Sequence, residues 1–444
     1  MLRKTTTLLL LAVVLVLPSY AQEVWSLERC INHARQNNLT LKQSEIAVSQ
    51  AELTEKGSRM ARLPNVSART SLGFNYGRGI NPVTNDFINT RLGFNNWNLD
   101  ANATLFNGGA ISNTIKQSKL DLEAAKEDAN TQFQNISLQM ASAYLNILLA
   151  EEQVRIAQRA IEQTQEQLAI IDKRIDAGTV PKVDRLDILA QIARNEQTLI
   201  QAQNSVEINY LTLKNILELE PDYDLQIVLP DDIMEVNESN AAQTLSSVYA
   251  QALNSQATIK ASEARMKSAE FGVPIAKADA LPRVTLFAGL DTRYASPSNF
   301  PSDSYGTQLN NNFGQVVGAQ VNFPIYNNHR TRIGIERAKL DIINSEVQNR
   351  QVKQQLKADV QAAIANARAA QTELAASERS FEAAQAAFEN AQKQYDLGVI
   401  NTLELTTAKT NLDTAELNVA RAKYDYVFRQ KIIDFYLGKP MNLK

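Results

Sequence analysis

The residue types that most often do chemistry are few in this sequence and stand apart. His33 and His329 are the only histidines, and Cys30 is the only cysteine. Neither histidine belongs to a His/Cys constellation with metal-ligand spacing, and there is no Gly-rich phosphate loop or nucleophile elbow. Acid–base and nucleophilic reactions need such groups within bonding reach of one another, so the sequence predicts no catalytic residue, no cofactor and no metal. His329 falls beside a strand-to-helix turn, where a surface role is the default, and His33 lies among polar residues of a helix. Cys30 cannot form an intrachain disulfide and reads as a small buried side chain. With 48 acidic residues against 45 basic ones, the net charge of −3 argues against a nucleic-acid surface.

The remaining polar candidates take their meaning from the elements that carry them. Arg3 and Lys4, an apolar run from Leu8 to Leu17 and Ser19-Tyr20-Ala21 before Gln22 make the three parts of a secretory signal peptide, so residues 1–21 are expected to be removed. Cys30 lies too far beyond that cleavage point to be a lipid-bearing first residue. The apolar run of roughly 10 residues is too short to cross a bilayer as a helix, and nothing later approaches the ~20 required. Abundant Ala, Gln, Asn, Leu and Glu favour long helices, but Gly and aromatic residues gather in residues 64–108 and 282–328.

The chain is written twice. Ala51-Glu52 with Leu63-Pro64 recurs as Ala269-Glu270 with Leu281-Pro282, and Lys119-Leu120-Asp121 recurs as Lys339-Leu340-Asp341. Phe106-Asn107 matches Tyr326-Asn327, Ala177-Gly178 matches Leu397-Gly398, and Pro221 matches Pro440. A period of about 220 residues is a duplicated domain, not a solenoid repeat. The expected organisation is a first repeat over 22–240 and a second over 241–444. Each begins with a segment, 27–61 or 245–279, that reads as one helix of about 35 residues and is ended by Pro64 or Pro282.

Period-2 alternation follows in each repeat, predicting strands at 64–78 and 91–107, then at 282–295 and 312–326. Val66, Ala68, Thr70, Leu72, Phe74 and Tyr76 share one face of the first strand; Trp97, Leu99, Ala101, Ala103 and Leu105 share one face of the second. Val284, Leu286, Ala288, Leu290 and Tyr294, then Val317, Ala319, Val321 and Phe323, repeat the scheme. A soluble sheet with one wet face alternates in the same way. Strands of about 14 residues, tilted by ~45°, match the ~30 Å hydrocarbon thickness, which favours a membrane barrel. The polar, turn-rich connections 78–89 and 296–312 suit its external loops. Leu72, Phe74, Tyr76, Trp97, Leu99, Leu286, Leu290, Val321 and Phe323 are the candidate lipid-facing residues.

Helical hairpins follow at 110–217 and 330–437, with 221–240 as a crossing segment after the first. Phe133, Met140, Ile147, Val154, Ile161, Leu168 and Ile175 recur every seven residues, as do Val360, Ala367, Leu374, Phe381, Phe388 and Tyr395. Both outgoing helices stop at a glycine, Gly178 or Gly398, placed to cap the helix and let the chain reverse. An outgoing helix of about 67 residues spans ~100 Å and the returning one about half that. Four strands per chain are too few to close a membrane barrel, which needs about eight, so oligomerisation is required.

With Trp25-Ser26-Leu27 opening the first helix, Leu-Pro before each strand pair, Leu105-Phe106-Asn107-Gly108-Gly109 after the second strand, and the glycine tips, the chain resembles the TolC-type outer-membrane efflux protein family over its mature length. The resemblance implies a mainly α fold with membrane β: a homotrimer sharing a twelve-stranded β-barrel in the outer membrane, continued by a periplasmic α-helical barrel of coiled-coil hairpins. It implies a passive gated duct that docks onto a periplasmic adaptor linked to an inner-membrane pump of RND or ABC type. By the same resemblance Gly178, Thr179, Val180, Gly398, Val399 and Ile400 would contact the adaptor. Acidic residues constrict the periplasmic mouth in the family, and the matching positions are Glu404, Asp184 and Asp187. Thr407 follows Glu404 one turn on, so a double acidic ring in that helix is not reproduced. A solvated helix face would account for the same carboxylates. The other reading of the heptads is a periplasmic coiled-coil scaffold without channel activity, which leaves the paired alternating strands unexplained.

Overall fold

The computed structural model describes residues 24–80, 85–228, 244–298 and 301–441. The expected signal peptide and residues 229–240 of the crossing segment lie outside the described residues. In chain order the elements are α1 (Leu27–Asn37), α2 (Leu39–Met60), β1 (Asn65–Ile80), β2 (Phe87–Asn107), α3 (Ala110–Asp176), α4 (Val183–Leu217), α5 (Leu245–Ser255), α6 (Ala257–Glu270), α7 (Gly272–Ala278), β3 (Arg283–Pro297), α8 (Tyr305–Asn311), β4 (Gly314–Asn322), α9 (Arg330–Asp396) and α10 (Thr402–Tyr436). α3 and α9 are each 67 residues long, and α4 and α10 each 35. The chain forms two compact units, one of residues 46–128 with 257–352, the other of residues 1–45, 129–256 and 353–444.

The first unit carries one antiparallel sheet in the order β1-β2-β3-β4. Directly paired residues share a face, so register identifies each face without further assumption. Val66 lies opposite Ala101, Ala101 opposite Ala288, and Ala288 opposite Val317. Ala68, Leu99 and Leu290 form the next row, then Thr70, Trp97 and Thr292, then Leu72, Asn95 and Tyr294. Most of the apolar residues of the four strands thus share one face, and most of the large side chains there are exposed.

Four strand expectations need correction. The connection 78–89 is largely ladder, since β1 runs to Ile80 and β2 begins at Phe87, with Arg78 opposite Asn89. A bulge between Thr104 and Phe106 shifts the ladder, so Phe106, not Leu105, stands opposite Val284. β4 ends at Asn322, which leaves Phe323 beyond the strand; Pro324 follows it and has no N–H to extend the ladder. The connection 296–312 is not all turn, since it contains α8. Its N-cap Ser304 accepts from the Thr307 amide, and the Tyr305 hydroxyl donates to Asn95 Oδ1 at 2.6 Å. Asn95 itself donates to Thr70 and to the Ser71 carbonyl and accepts from Trp97 Nε1, so this buried amide is fully satisfied. On the opposite face Phe94 covers Gly73 and Phe287 covers Gly318, each pair in direct register. A Cβ at Gly318 would stand 2.5 Å from the Phe287 ring.

The duplication is visible in backbone conformation. The strand-to-helix turn of the first repeat holds Gly108 and Gly109 at φ 65° and 82°; the second holds Asn328 and His329 at φ 54° and 59°. A Cβ at Gly108 would meet the Ala278 backbone at 2.9 Å, which excludes any larger residue there.

The expected long first helix of each repeat is interrupted. The first helix breaks at Asn38, whose Oδ1 accepts from the Thr40 and Leu41 amides and whose Nδ2 donates to the Ile216 carbonyl. The corresponding helix breaks at Gln256, whose Nε2 donates to the Phe435 carbonyl, and again at Phe271. Each amide does two jobs. It interrupts its own helix and supplies a donor to the last turn of a returning helix, where carbonyls lack partners. Around the first junction Trp25, Leu27, Cys30, Met140, Tyr144, Ile147, Leu213, Leu217, Leu225 and Ile227 belong to one core cluster. The Trp25 amide donates to the Gln226 carbonyl and the Val228 amide to the Trp25 carbonyl, tying the start of the crossing segment to the chain's beginning.

Cys30 is 0% exposed, and burial pushes its thiol up to about 12. At pH 8 the folded protein should therefore resist maleimide, with labelling appearing only as denaturant unfolds the helices. Rapid labelling of the native state would show that this core opens.

Candidate functional site

The hairpin tips concentrate the candidate residues. Both are closed by the same motif. Gly178 at φ 72° donates its amide to the Ile175 carbonyl, and the Thr179 amide donates back to Arg174; Gly398 at φ 71° and Val399 do the same to Tyr395 and Gln394. This 6→1 and 5→2 pattern requires a left-handed residue after the helix, which glycine adopts without steric cost. A Cβ at either glycine would meet nothing within 4 Å, so space alone does not dictate glycine.

The other expected tip residues differ in exposure. Val399 is 70% exposed, but Ile400 is half-buried against Ile171, Ile188, Tyr395 and Leu405. Thr179 is exposed, and its hydroxyl donates to the Arg174 carbonyl at 2.9 Å; Val180 is half-buried. Composition gave no cue to the largest apolar projections here: Leu397 is 79% exposed, and Val183, Leu186 and Leu403 are exposed as well. Their positions next to the glycines were the available signal.

Asp184 and Glu404 each sit in the first turn of a returning helix, where the helix dipole favours a carboxylate. The Glu404 amide donates to the N-cap Asn401 side chain at 2.9 Å, and Asn401 Nδ2 donates to the Glu404 carboxylate at 3.2 Å. Asp184 accepts from the Thr402 hydroxyl at 2.8 Å. Thr402 has spent its proton there, so the Tyr395 hydroxyl, 3.3 Å away, donates to Thr402. Asp187, one turn beyond Asp184, is half-buried.

Those contacts join the two hairpins, a feature the sequence did not reveal. Arg174 of α3 donates to Asp396 of α9 at 2.8 Å, and its guanidinium lies 5.0 Å from the Tyr395 ring centroid. Further from the tips Lys409 of α10 reaches Gln163 of α3 at 2.5 Å, and Arg159 of α3 pairs with Glu416 of α10 at 2.9 Å. Lys409 is buried, pairs with Asp413 at 2.5 Å and lies over the Phe388 ring. Within the first hairpin, buried Gln191, Asn195 and Thr164 form a second polar layer: Gln191 donates to Asn195, which donates to Thr164. The apolar seam is therefore punctuated by polar groups that fix register. Among the described residues no group of three or more His, Cys, Asp or Glu could hold a metal.

Removing one partner of a buried ion pair leaves the other uncompensated, at a cost of roughly 3–5 kcal/mol. Lys409→Met should lower the denaturation midpoint accordingly, and adding Asp413→Leu should recover most of the loss. Equal stability of the single variant would show that the pair is solvated.

The outer membrane efflux protein family matches the chain twice, over residues 30–218 and 248–439. The outer membrane efflux protein BepC of Brucella suis biovar 1 is 24% identical over 397 residues, covering 89% of this chain and 81% of that protein. The outer membrane protein TolC of Vibrio cholerae is 23% identical, covering 95% of this chain and 92% of that one. Among solved structures CusC aligns with a TM-score of 0.78 at 18% identity, over 95% of this chain and 96% of its own. The outer-membrane channel OprN aligns at 0.76 and 23%, over 93% of this chain and 90% of its own.

Proposed function

Because the chain belongs to the outer membrane efflux protein family, we propose that it is the exit duct of a tripartite efflux or type I secretion machine, docking onto a periplasmic adaptor and, through it, an inner-membrane pump. Membership makes it an outer-membrane channel protein and not an enzyme, and sets aside the scaffold reading. The observation that carries the duct is the open four-stranded sheet with its apolar face exposed. An edge strand cannot stand unpaired in hydrocarbon, so β1 and β4 must be closed by further copies. Three copies give twelve strands and a wider lumen than the eight of two copies. The apolar face, including Leu72, Phe74, Tyr76, Trp97, Leu99, Leu286, Leu290 and Val321, turns to lipid, and the two repeats, 22–240 and 241–444, alternate around the axis.

The tips take the adaptor. Gly178, Thr179, Val180, Gly398, Val399 and Ile400 form the docking turns, with the exposed Leu397 and Leu403 beside them. The contacts between hairpins act as the latch. Exposed ion pairs contribute about 0.2–1 kcal/mol each, so a bound adaptor can supply enough free energy to part them. Glu404, Asp184 and Asp187 set the charge at the mouth, where three copies of each favour cations.

Gly398→Trp should abolish export while trimers still assemble; unchanged export would refute docking at that turn. In planar bilayers, Arg174→Leu with Thr402→Val should raise single-channel conductance several-fold. Conductance equal to that of the unmodified protein would show that these links do not restrain the mouth.

A further inference from the structure

The two hairpins of one chain meet where α10 lies antiparallel to α3. Arg159 of α3 pairs with Glu416 of α10 at 2.9 Å, and Lys409 of α10 reaches Gln163 of α3. Because the chain is duplicated, each of these positions has a counterpart, and backbone geometry fixes which residue that is. Gly178 and Gly398 follow the outgoing helices at positive φ, and Glu218 and Gly438 follow the returning ones; both pairs are 220 positions apart (398 − 178 and 438 − 218). The returning helices also close alike. Glu218 and Leu219 donate to Asn215 and Lys214, as Gly438 and Lys439 donate to Phe435 and Asp434. α3 and α9 begin and end at the same interval. Glu196 of α4 is therefore the counterpart of Glu416, and Arg379 of α9 that of Arg159.

The counterparts keep their charges but not their contact. Both are exposed, and among the described residues neither has an ion-pair or hydrogen-bond partner. The helix face around Glu196 is apolar and open. Leu186 and Ile200 are 62% and 65% exposed, whereas their counterparts on α10, Thr406 and Ala420, are buried. Ile208 is exposed too, whereas its counterpart Phe428 packs against the cluster that holds Met140, Tyr144 and Leu148 of α3. On the outgoing helices the sizes are reversed: Ile156, one turn before Arg159, is buried, and its counterpart Ala376 on α9 is small and exposed. Within the chain a bulky α3 thus meets small residues of α10. On the open faces a bulky α4 is matched by a small α9, an exchange that conserves the volume of a knobs-into-holes contact. We propose that Glu196 of one copy pairs with Arg379 of the next, with Leu186, Ile200 and Ile208 packing on that copy's α9, so that α4 on α9 between copies repeats α10 on α3 within a copy. The contact is heterologous, and such contacts are satisfied at every copy only when the ring closes. The pairing rests on the reading of three copies around one axis, and it adds which faces meet and in which direction.

The test uses the full-length protein in detergent. Glu196→Cys/Arg379→Cys, treated with a short bis-maleimide, should give covalent dimers and trimers on a denaturing gel, whereas each single variant should give monomers. Cys30 is buried and stays silent. Both replaced residues are exposed, so the variants should fold as the unmodified protein does. Charge exchange tests the ion pair itself: Arg379→Glu should lower the temperature at which the oligomer dissociates on a semi-native gel, and adding Glu196→Arg should restore it. Monomers alone from the double cysteine variant overturn the proposed faces, and a charge-exchanged protein no more stable than Arg379→Glu overturns the pair. Native mass spectrometry separates the two readings. Three copies without cross-linking leave the trimer standing and remove this interface; a single copy throughout removes both.

Discussion

A backbone amide in hydrocarbon has no water to turn to, and the sheet of this molecule answers to that constraint. Four strands from one chain leave two open edges, so the sheet can enter the bilayer only as part of a larger closed wall. Closure by copies of the same chain makes the helices that follow the strands line a common axis. A charge or a polar side chain on the outward face would then cost free energy at every copy. The buried Asn95 amide, satisfied by Thr70, Ser71, Trp97 and Tyr305, is the kind of polar group that this face tolerates.

The helical part obeys a different balance. Its heptad seams supply apolar burial, but polar groups decide where helices stop and which neighbour they meet. Asn38 and Gln256, placed alike in the two repeats, interrupt one helix and satisfy the end of another. Nearer the tips the links between hairpins are the partly exposed Arg174–Asp396 pair and the hydrogen bond from the buried Thr402 to Asp184. Lys409 and Asp413 pair within α10 at a buried level, where Lys409 also reaches across to Gln163 of α3.

Much of the fold was legible in the residues. Strict seven-residue spacing and a helix-ending glycine predicted α3, α4, α9 and α10, because period and cap are local properties. Alternation found all four strands, yet missed the bulge that replaces Leu105 by Phe106 and the early end of β4, since both depend on the partner strand. The breaks at Asn38 and Gln256 were invisible for the same reason: an amide in a helical stretch is neutral until a carbonyl 178 or 179 residues away requires it. At the tips, glycine and acidic positions could be named from their order. The Arg174–Asp396 and Thr402–Asp184 links could not, because they join residues more than 200 positions apart whose spacing carries no period.

The unequal strands have a further consequence. β1 has 16 residues and β4 has 9, so joining them between neighbours leaves at least 7 (16 − 9) positions of β1 without a ladder partner on that side. Those positions need water, so they cannot lie within the acyl chains. The difference in strand length therefore acts as a depth gauge. It fixes how far the wall can sink into its membrane, and it does so through main-chain geometry, whatever the side chains above and below.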